Sequence, residues 1–179
     1  MRKVLLSTTL ASAVLLGFSS CEKVKDKVFP SFETNGGTVH LSVPAISTTN
    51  TEVGLDATTI SFNLDSAIKA NTDGKFSISN AESVKIKTVT VDVDGDAENN
   101  ISNFSHVTVK VSSNSNTSAV AIVDADLMDV NQPNVINGNG TELKGYLTGS
   151  QITYTISGKL RRATTVDLPL TLDVVFSVK

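Results

Sequence analysis

The C-terminal stretch ITYTISGKLRRATTVDLPLTLDVVFSV, residues 152–178, alternates apolar and polar side chains in two long runs. A period of two places every apolar side chain of a strand on the same face of a sheet. The apolar positions are Ile152, Tyr154, Ile156, Gly158 and Leu160 in the first run and Val166, Leu168, Leu170, Leu172, Val174, Phe176 and Val178 in the second. The stretch therefore predicts two antiparallel strands joined by a turn at residues 161–165, a long hairpin with one buried face.

Pro169 lies on the polar phase of the second of these strands. Because proline has no backbone N–H to donate, it is found mainly on edge strands and at irregularities. We therefore expect the last strand to form a sheet edge, or its pairing to stop at Pro169.

Shorter alternating segments precede this stretch, at residues 39–45, 60–64, 84–94, 107–111 and 119–123. The last two of these flank a polar loop and are expected to pair with each other. Within residues 84–94 the apolar phase changes from even to odd positions. This change predicts an extra residue, a β-bulge, near Lys87 and Thr88.

Helical patterns are short. Residues 65–71, 79–83 and 141–147 each match one or two turns, the first with Asp65 or Ser66 as its expected N-cap. No segment keeps an apolar helical stripe over three turns. These patterns predict an all-β fold, an antiparallel immunoglobulin-like β-sandwich of about seven strands with Greek-key-like connections and short helical turns.

The N-terminus has the pattern of a signal peptide. Arg2 and Lys3 precede an apolar, uncharged run at residues 4–18, which is too short to span a bilayer. Small residues then lead into Cys21, the one cysteine in the chain, and this junction resembles the lipobox of bacterial lipoproteins. The resemblance implies cleavage before Cys21 and acylation of that residue on its sulfur and its nitrogen, with chains such as palmitate. Several acyl chains hold a protein stably on a membrane.

The expected organisation is a lipoprotein signal peptide at residues 1–20, a lipidated tether at 21–37 and a sandwich domain at 38–179. The tether carries mixed charges and ends in Asn-Gly-Gly, a turn signal, at residues 35–37. Phe29 and Phe32 are unusual in a linker, and we expect them to pack on the domain.

The charge balance limits the classes of ligand. Cleavage would remove Arg2 and Lys3 and no carboxylate, which leaves 13 basic and 18 acidic side chains in the mature chain. A net negative charge argues against nucleic-acid binding, which needs a basic surface. The chain has no tryptophan and two tyrosines, so aromatic platforms for stacking sugars or bases are few.

The sequence lacks recognisable catalytic motifs. His40 and His106 are flanked by inward-pointing residues and are expected on strand exteriors. The Asn-Gly-Asn-Gly segment at residues 137–140 lacks the lysine and the strand-to-helix context of a phosphate loop. An enzyme would need one of the histidines beside carboxylates in a pocket. The sequence therefore predicts a protein that is not an enzyme and has no cofactor besides its covalent lipid.

The segment DVDGDAENN, residues 92–100, resembles the start of a calcium loop. Asp92, Asp94 and Asp96 match the first three ligand positions of an EF-hand, but the glycine position is Ala97 and the final glutamate position is Asn103. A polar turn explains the spacing more simply, because Asp92 and Asp94 face solvent by strand alternation alone and Asp-Gly favours a turn. A looser calcium site at Asp92, Asp94 and Asp96 remains as the alternative hypothesis.

Two further features have two interpretations each. Asp65-Ser66-Ala67 resembles the short O-glycosylation signal of exported Bacteroidota proteins, with Ser66 as the acceptor, but a helix N-cap explains it equally and is preferred. Arg161 and Arg162 could contact a phosphate or a carboxylate partner, although such a pair is more often a solvated turn.

Several motifs together resemble one family. The lipobox-like Cys21, the tether, ISNFSHVTVKV at 101–111, ELKGYL at 142–147 and the C-terminal stretch are similar to those of small Bacteroidota outer-membrane lipoproteins with a sandwich domain. This resemblance implies a lipid-anchored cell-envelope protein of the outer membrane, on its periplasmic or surface face, and no catalytic residue. The expected function is that of a non-enzymatic accessory or structural subunit with an outer-membrane protein partner. The alternative is a surface glycan-binding or adhesion module, assisted by calcium.

Overall fold

The computed structural model describes residues 28–55 and 57–179. The predicted signal peptide, Cys21 and the first part of the tether lie outside these residues. Within them, two antiparallel sheets pack face to face, which confirms the predicted all-β sandwich.

Nine strands and one α-helix make up the regular structure of the described residues. The strands are β1 (Phe32–Val43), β2 (Glu52–Gly54), β3 (Thr58–Ser61), β4 (Val84–Val93), β5 (Phe104–Ser113), β6 (Val120–Asp126), β7 (Asn134–Asn137), β8 (Gln151–Leu160) and β9 (Leu168–Val178). The helix α1 is Leu64–Asn71, and single 3-10 turns form at Ile78–Asn80, Ile101–Asn103 and Lys144–Tyr146.

The first sheet has the strand order β1-β9-β4-β7. In the second, β2 and β3 both pair with β8, which is followed by β5 and β6. Every pairing is antiparallel, and the apolar phases of the long strands face each other across the sandwich as one core. In β9, for example, Leu172, Val174 and Phe176 are fully buried.

The predicted C-terminal hairpin is wrong. β8 and β9 belong to different sheets, and residues 161–167 cross from one to the other. Along this crossing the Arg161 N–H donates to the Asn103 carbonyl at 2.7 Å and the Thr164 N–H to the Ile46 carbonyl at 2.9 Å. Both strands exist, although β9 begins at Leu168 and Val166 is exposed in the crossing segment. Alternation identifies only the buried face of a strand and not its partner.

The expectation for the last strand is confirmed in its second form: the strand is not a sheet edge, but its pairing with β4 stops at Pro169. β9 lies between β1 and β4. Pro169 fits there because the ladder with β4 ends at the Val93–Leu170 pair. The Pro169 carbonyl accepts the Asp94 N–H at 3.1 Å, just past the end of that ladder. The N–H and C=O of a strand residue point to the same side. The side on which Pro169 lacks an N–H donor is therefore the side facing β4, at the position where pairing stops.

Three local predictions are confirmed. The register between β4 and β9 shifts between Ile86 and Thr88, where the bulge was expected. β5 pairs with β6, and a helix covers residues 65–71. Its N-cap, however, is neither Asp65 nor Ser66: the Asn63 side chain accepts the Ser66 N–H at 2.9 Å.

The chain joins the domain earlier than the predicted boundary at residue 38. β1 begins at Phe32, opposite Val178, and the Asn-Gly-Gly signal at 35–37 marks a bulge in this strand. The Phe29 ring packs edge-on against Phe76 with their centroids 5.4 Å apart, and 6.1 Å from Phe32. The expected packing of both phenylalanines on the domain is confirmed.

Candidate functional site

The sandwich has two ends with different loops. One end contains residue 28, the first described residue, and is called the entry end. It also contains α1 and residues 72–83 and 138–150. It is defined by the pairing of Phe32 and Val84 with Val178 and by the hydrogen bond from the Leu143 N–H to the Val84 carbonyl at 2.7 Å. The opposite, far end is formed by four segments: residues 44–51, 94–103, 127–133 and 161–167.

The acidic segment singled out in the sequence forms one of the far-end loops. The Asp96 Oδ1 accepts the N–H groups of Asn99 at 2.7 Å and Glu98 at 2.8 Å. These two bonds, the one from Asn99 foremost, lower the pKa of Asp96. A Cβ at Gly95 would lie 1.8 Å from the Asn99 carbonyl oxygen, so the loop closes where only glycine fits. Asp96 therefore caps the backbone of its own turn.

The three aspartates of the calcium hypothesis have three different environments. The Asp92 Oδ1 accepts the Val93 N–H at 2.9 Å, Asp94 is exposed, and Asp96 caps its turn. Within residues 28–55 and 57–179, no group of three or more His, Cys, Asp or Glu side chains is arranged to hold a metal ion. The looser calcium site stays an alternative hypothesis.

Buried asparagines join this loop to the crossing segment. Asn99 and Asn103 are both buried. The Asn99 Oδ1 accepts the Thr165 N–H at 2.9 Å, and the Asn103 Nδ2 donates to the carbonyls of Glu98 at 3.0 Å and Ala163 at 3.1 Å. Two far-end loops that are distant in sequence thus form one hydrogen-bonded unit. The sequence reasoning missed these residues, although the run NNISN at 99–103 was a visible signal.

Arg161 and Arg162 both contact the carboxylate of Asp129 in the same chain. The Arg162 Nη1 lies 3.2 Å from the Asp129 Oδ2, and the Arg161 Nη1 lies 3.4 Å from the Asp129 Oδ1. The hydrogen bond from Arg162 lowers the pKa of Asp129. In addition, the Arg161 Nη2 donates to the Leu127 carbonyl at 2.9 Å. These contacts tie residues 127–133 to the crossing segment.

His106 lies between two carboxylates on the outer face of β5 and β6. Its Nδ1 is 2.8 Å from the Asp126 Oδ1, and its Nε2 is 2.8 Å from the Asp124 Oδ1. Carboxylates only accept hydrogen bonds, so both contacts are satisfied when both ring nitrogens carry a proton. The bond to Asp126 raises the pKa of His106, and the bond to Asp124 adds to this against the opposing effect of burial.

The other predicted residues stand apart from this group. His40 lies on β1 in the first sheet, with its Nδ1 3.2 Å from the Thr171 Oγ1, so the two histidines are not brought together. Ser66 is exposed in the first turn of α1, where it is open to modification. Its glycosylation stays an alternative hypothesis, and the acylation of Cys21 stays a prediction.

Two cavities bear on ligand binding. An apolar void between the sheets, lined in part by Ile46, Phe104 and Leu170, has a volume of about 10 Å³, which is the size of a single water molecule. An open groove of about 230 Å³ lies at the entry end between Val28 and Lys75. The first has room for a single water-sized sphere, and the second is a surface groove beside the entering chain.

No protein-family model matches the sequence, and no curated protein matches it either. In the part of the chain that the structure describes, no helix is both long enough and apolar enough to span a membrane.

Proposed function

We propose that this protein is an outer-membrane-anchored lipoprotein that serves as a non-enzymatic accessory or structural subunit of an outer-membrane assembly. The observation that carries the proposal is the packing of the entering chain on one end of a rigid sandwich. Phe29 packs on Phe76, and β1 pairs from its first residue, Phe32. A lipid at Cys21 would therefore hold the domain by that end.

The length of the remaining tether supports close anchoring. Residues 22–27 separate Cys21 from the first described residue, Val28. A fully extended chain spans at most about 3.5 Å per residue, so the acylated cysteine lies within roughly 25 Å of the entry end. The domain would sit at the membrane surface with its far end directed away from it.

The setting of His106 supports the non-enzymatic part of the proposal. General acid–base catalysis needs a side chain within reach of a substrate proton, in a site that orients the substrate. Both nitrogens of His106 are already engaged by Asp124 and Asp126, on an open sheet face. This arrangement suits a surface ion pair better than a catalytic base.

A pull-down from native outer membranes in mild detergent tests the proposal. Tagged full-length protein should bring down one membrane protein in a fixed ratio, identified by mass spectrometry. The matched control is Cys21→Ala, which should be absent from the outer-membrane fraction and should not bring down that protein. Consistent isolation of the wild-type protein as a lone monomer would contradict an accessory role.

A further inference from the structure

The far end displays apolar side chains. The large apolar side chains exposed in the described residues are Val28 at 71%, Met128 at 58%, Val130 at 40%, Val135 at 64% and Val166 at 47% of their surface. Val28 lies at the entry end, whereas the other four lie in or beside the far-end loops. Single exposed apolar residues are common on proteins, but several on neighbouring segments indicate a contact surface.

The segment that carries Met128 and Val130 has a fixed shape. Buried Asn134, at the start of β7, accepts the Met128 N–H at 2.9 Å and donates to the Gln132 carbonyl at 3.0 Å. On its other side Asp129 is bound by Arg162. Both ends and the middle of the loop are thus bound to the domain. A surface that is already ordered loses little conformational freedom when a partner binds.

The charge around these side chains indicates which charge the contact surface of the partner carries. The far-end loops 94–103, 127–133 and 161–167 carry Asp94, Asp96, Glu98, Asp129 and Asp167. Their basic side chains are Arg161 and Arg162, both of which face Asp129. Such a surface repels anionic lipid headgroups and a second copy of itself, and it attracts a cationic protein surface.

The position of the surface is compatible with a partner other than the bilayer. β1 runs from the entry end to the far end over 12 residues, which corresponds to roughly 40 Å at about 3.3 Å per residue. A lipid at the entry end would therefore leave the far-end loops well outside the headgroup layer.

We propose that Met128, Val130 and Val135 form the centre of a docking site for a protein partner whose contact surface is apolar and bordered by lysine or arginine. This inference rests on the proposed function, because it names the surface through which an accessory subunit would bind its partner. Apolar anchors at the centre of an interface carry most of its binding energy, and peripheral charges set orientation and encounter rate.

Site-specific photo-crosslinking in native membranes tests the docking site. A photoreactive amino acid is placed at Met128 or Val130 of the full-length protein, with Val28 at the entry end as the matched exposed apolar control. We expect one protein to crosslink from residues 128 and 130, at least tenfold more than from residue 28. The crosslinked peptide should contain lysine or arginine. Equal crosslinking from residue 28, or crosslinking to a second copy of this chain, would overturn the proposal.

A double charge variant separates this inference from the proposed function. Met128→Glu with Val135→Glu should reduce recovery of the partner at least tenfold in the pull-down. The same variant should keep the wild-type melting temperature, because both side chains are exposed. If the wild-type protein captures a partner that this variant retains in full, the docking site is wrong and the accessory role stands. If the wild type captures nothing, the proposed function itself fails.

Discussion

The imidazole of His106 lies 2.8 Å from the carboxylate of Asp126, its cross-strand neighbour on β6. With Asp124 on the opposite ring nitrogen, the imidazolium is held between two acids, and Lys159 is the charged residue paired with it from β8. The hydrogen bonds to Asp126 and Asp124 raise the pKa of His106 above its ordinary value of 6.5. The free energy of unfolding should therefore depend on pH.

The contribution of His106 to stability should be fully present below about pH 6.5 and should be lost as the pH rises through its raised, folded-state pKa. We expect His106→Gln to lower the free energy of unfolding by roughly 0.5–1 kcal/mol at pH 6, and by less at pH 8–9. Urea denaturation at both pH values measures this difference. In a protein that carries Asp124→Asn and Asp126→Asn, the effect of His106→Gln should no longer depend on pH. If the pH dependence is unchanged there, these two aspartates do not raise the pKa of His106.

Glu142 should be a stabilising carboxylate at the entry end. It accepts hydrogen bonds from the Ser83 Oγ at 2.6 Å and from the N–H groups of Val84 and Lys144, each at 2.9 Å. Burial raises its pKa, but the three hydrogen bonds outweigh this effect, so the pKa is lowered overall. Its contribution is therefore present above its ordinary pKa of 4.5 and lost as the pH falls through the lowered value.

Replacement of Glu142 by alanine should cost about 1 kcal/mol of unfolding free energy at pH 7, because two backbone N–H groups lose their partner at an exposed site, where water can replace it in part. Glu142→Gln should cost less. Denaturant unfolding at pH 7 and in the acid range tests both effects. Glu82→Ala, at an exposed neighbouring carboxylate, is the control and should be near neutral. If the two alanine variants unfold alike, Glu142 does not have this role.

The Asn99 side chain should determine the rigidity of the far end. In Asn99→Ala the Thr165 N–H loses its acceptor, and we expect a loss of about 1 kcal/mol for the removal of this part-buried hydrogen bond. The comparison variant is Asn131→Ala, an exposed asparagine of the neighbouring loop. Amide hydrogen exchange should increase in residues 161–167 in the first variant and stay unchanged in the second. Unchanged protection in both would mean that other contacts hold these loops together.

Calcium should leave the melting temperature unchanged. Asp96 already caps the N–H groups of Glu98 and Asn99, and Asp92 binds its neighbour Val93. Thermal unfolding in millimolar calcium and in chelator should therefore give superimposable curves. A rise in melting temperature with calcium that disappears in Asp94→Asn would revive the alternative site.

The strands were predictable because their signal is local. Alternation from Val84 to Val93 and from Leu168 to Val178 is visible within each segment, and so is the change of phase that marks the bulge. Pairing was not predictable in the same way. An alternating strand fits any partner of matching face, and the crossing at residues 161–167 depends on Asn103 and Ile46, which are far away in the sequence.

The far-end surface was beyond sequence reasoning for a related reason. The sequence predicts a polar turn around Asn99, and it does not reveal the partner, Thr165, which lies 66 residues later. Met128 and Val130 carry no sequence mark of exposure, since apolar residues that follow a strand are as compatible with the core as with the surface. Their display depends on the contacts of Asn134 and Asp129 with distant segments.

We propose that a lipid on Cys21 holds the sandwich at the membrane by its entry end. Intact-mass spectrometry of the protein extracted from its native membranes tests it most directly. We predict a mature chain that begins at Cys21 and carries the added mass of its acyl groups, and a Cys21→Ala variant that no longer fractionates with outer membranes. A mature chain that begins elsewhere, or one that begins at Cys21 without lipid, would contradict the account.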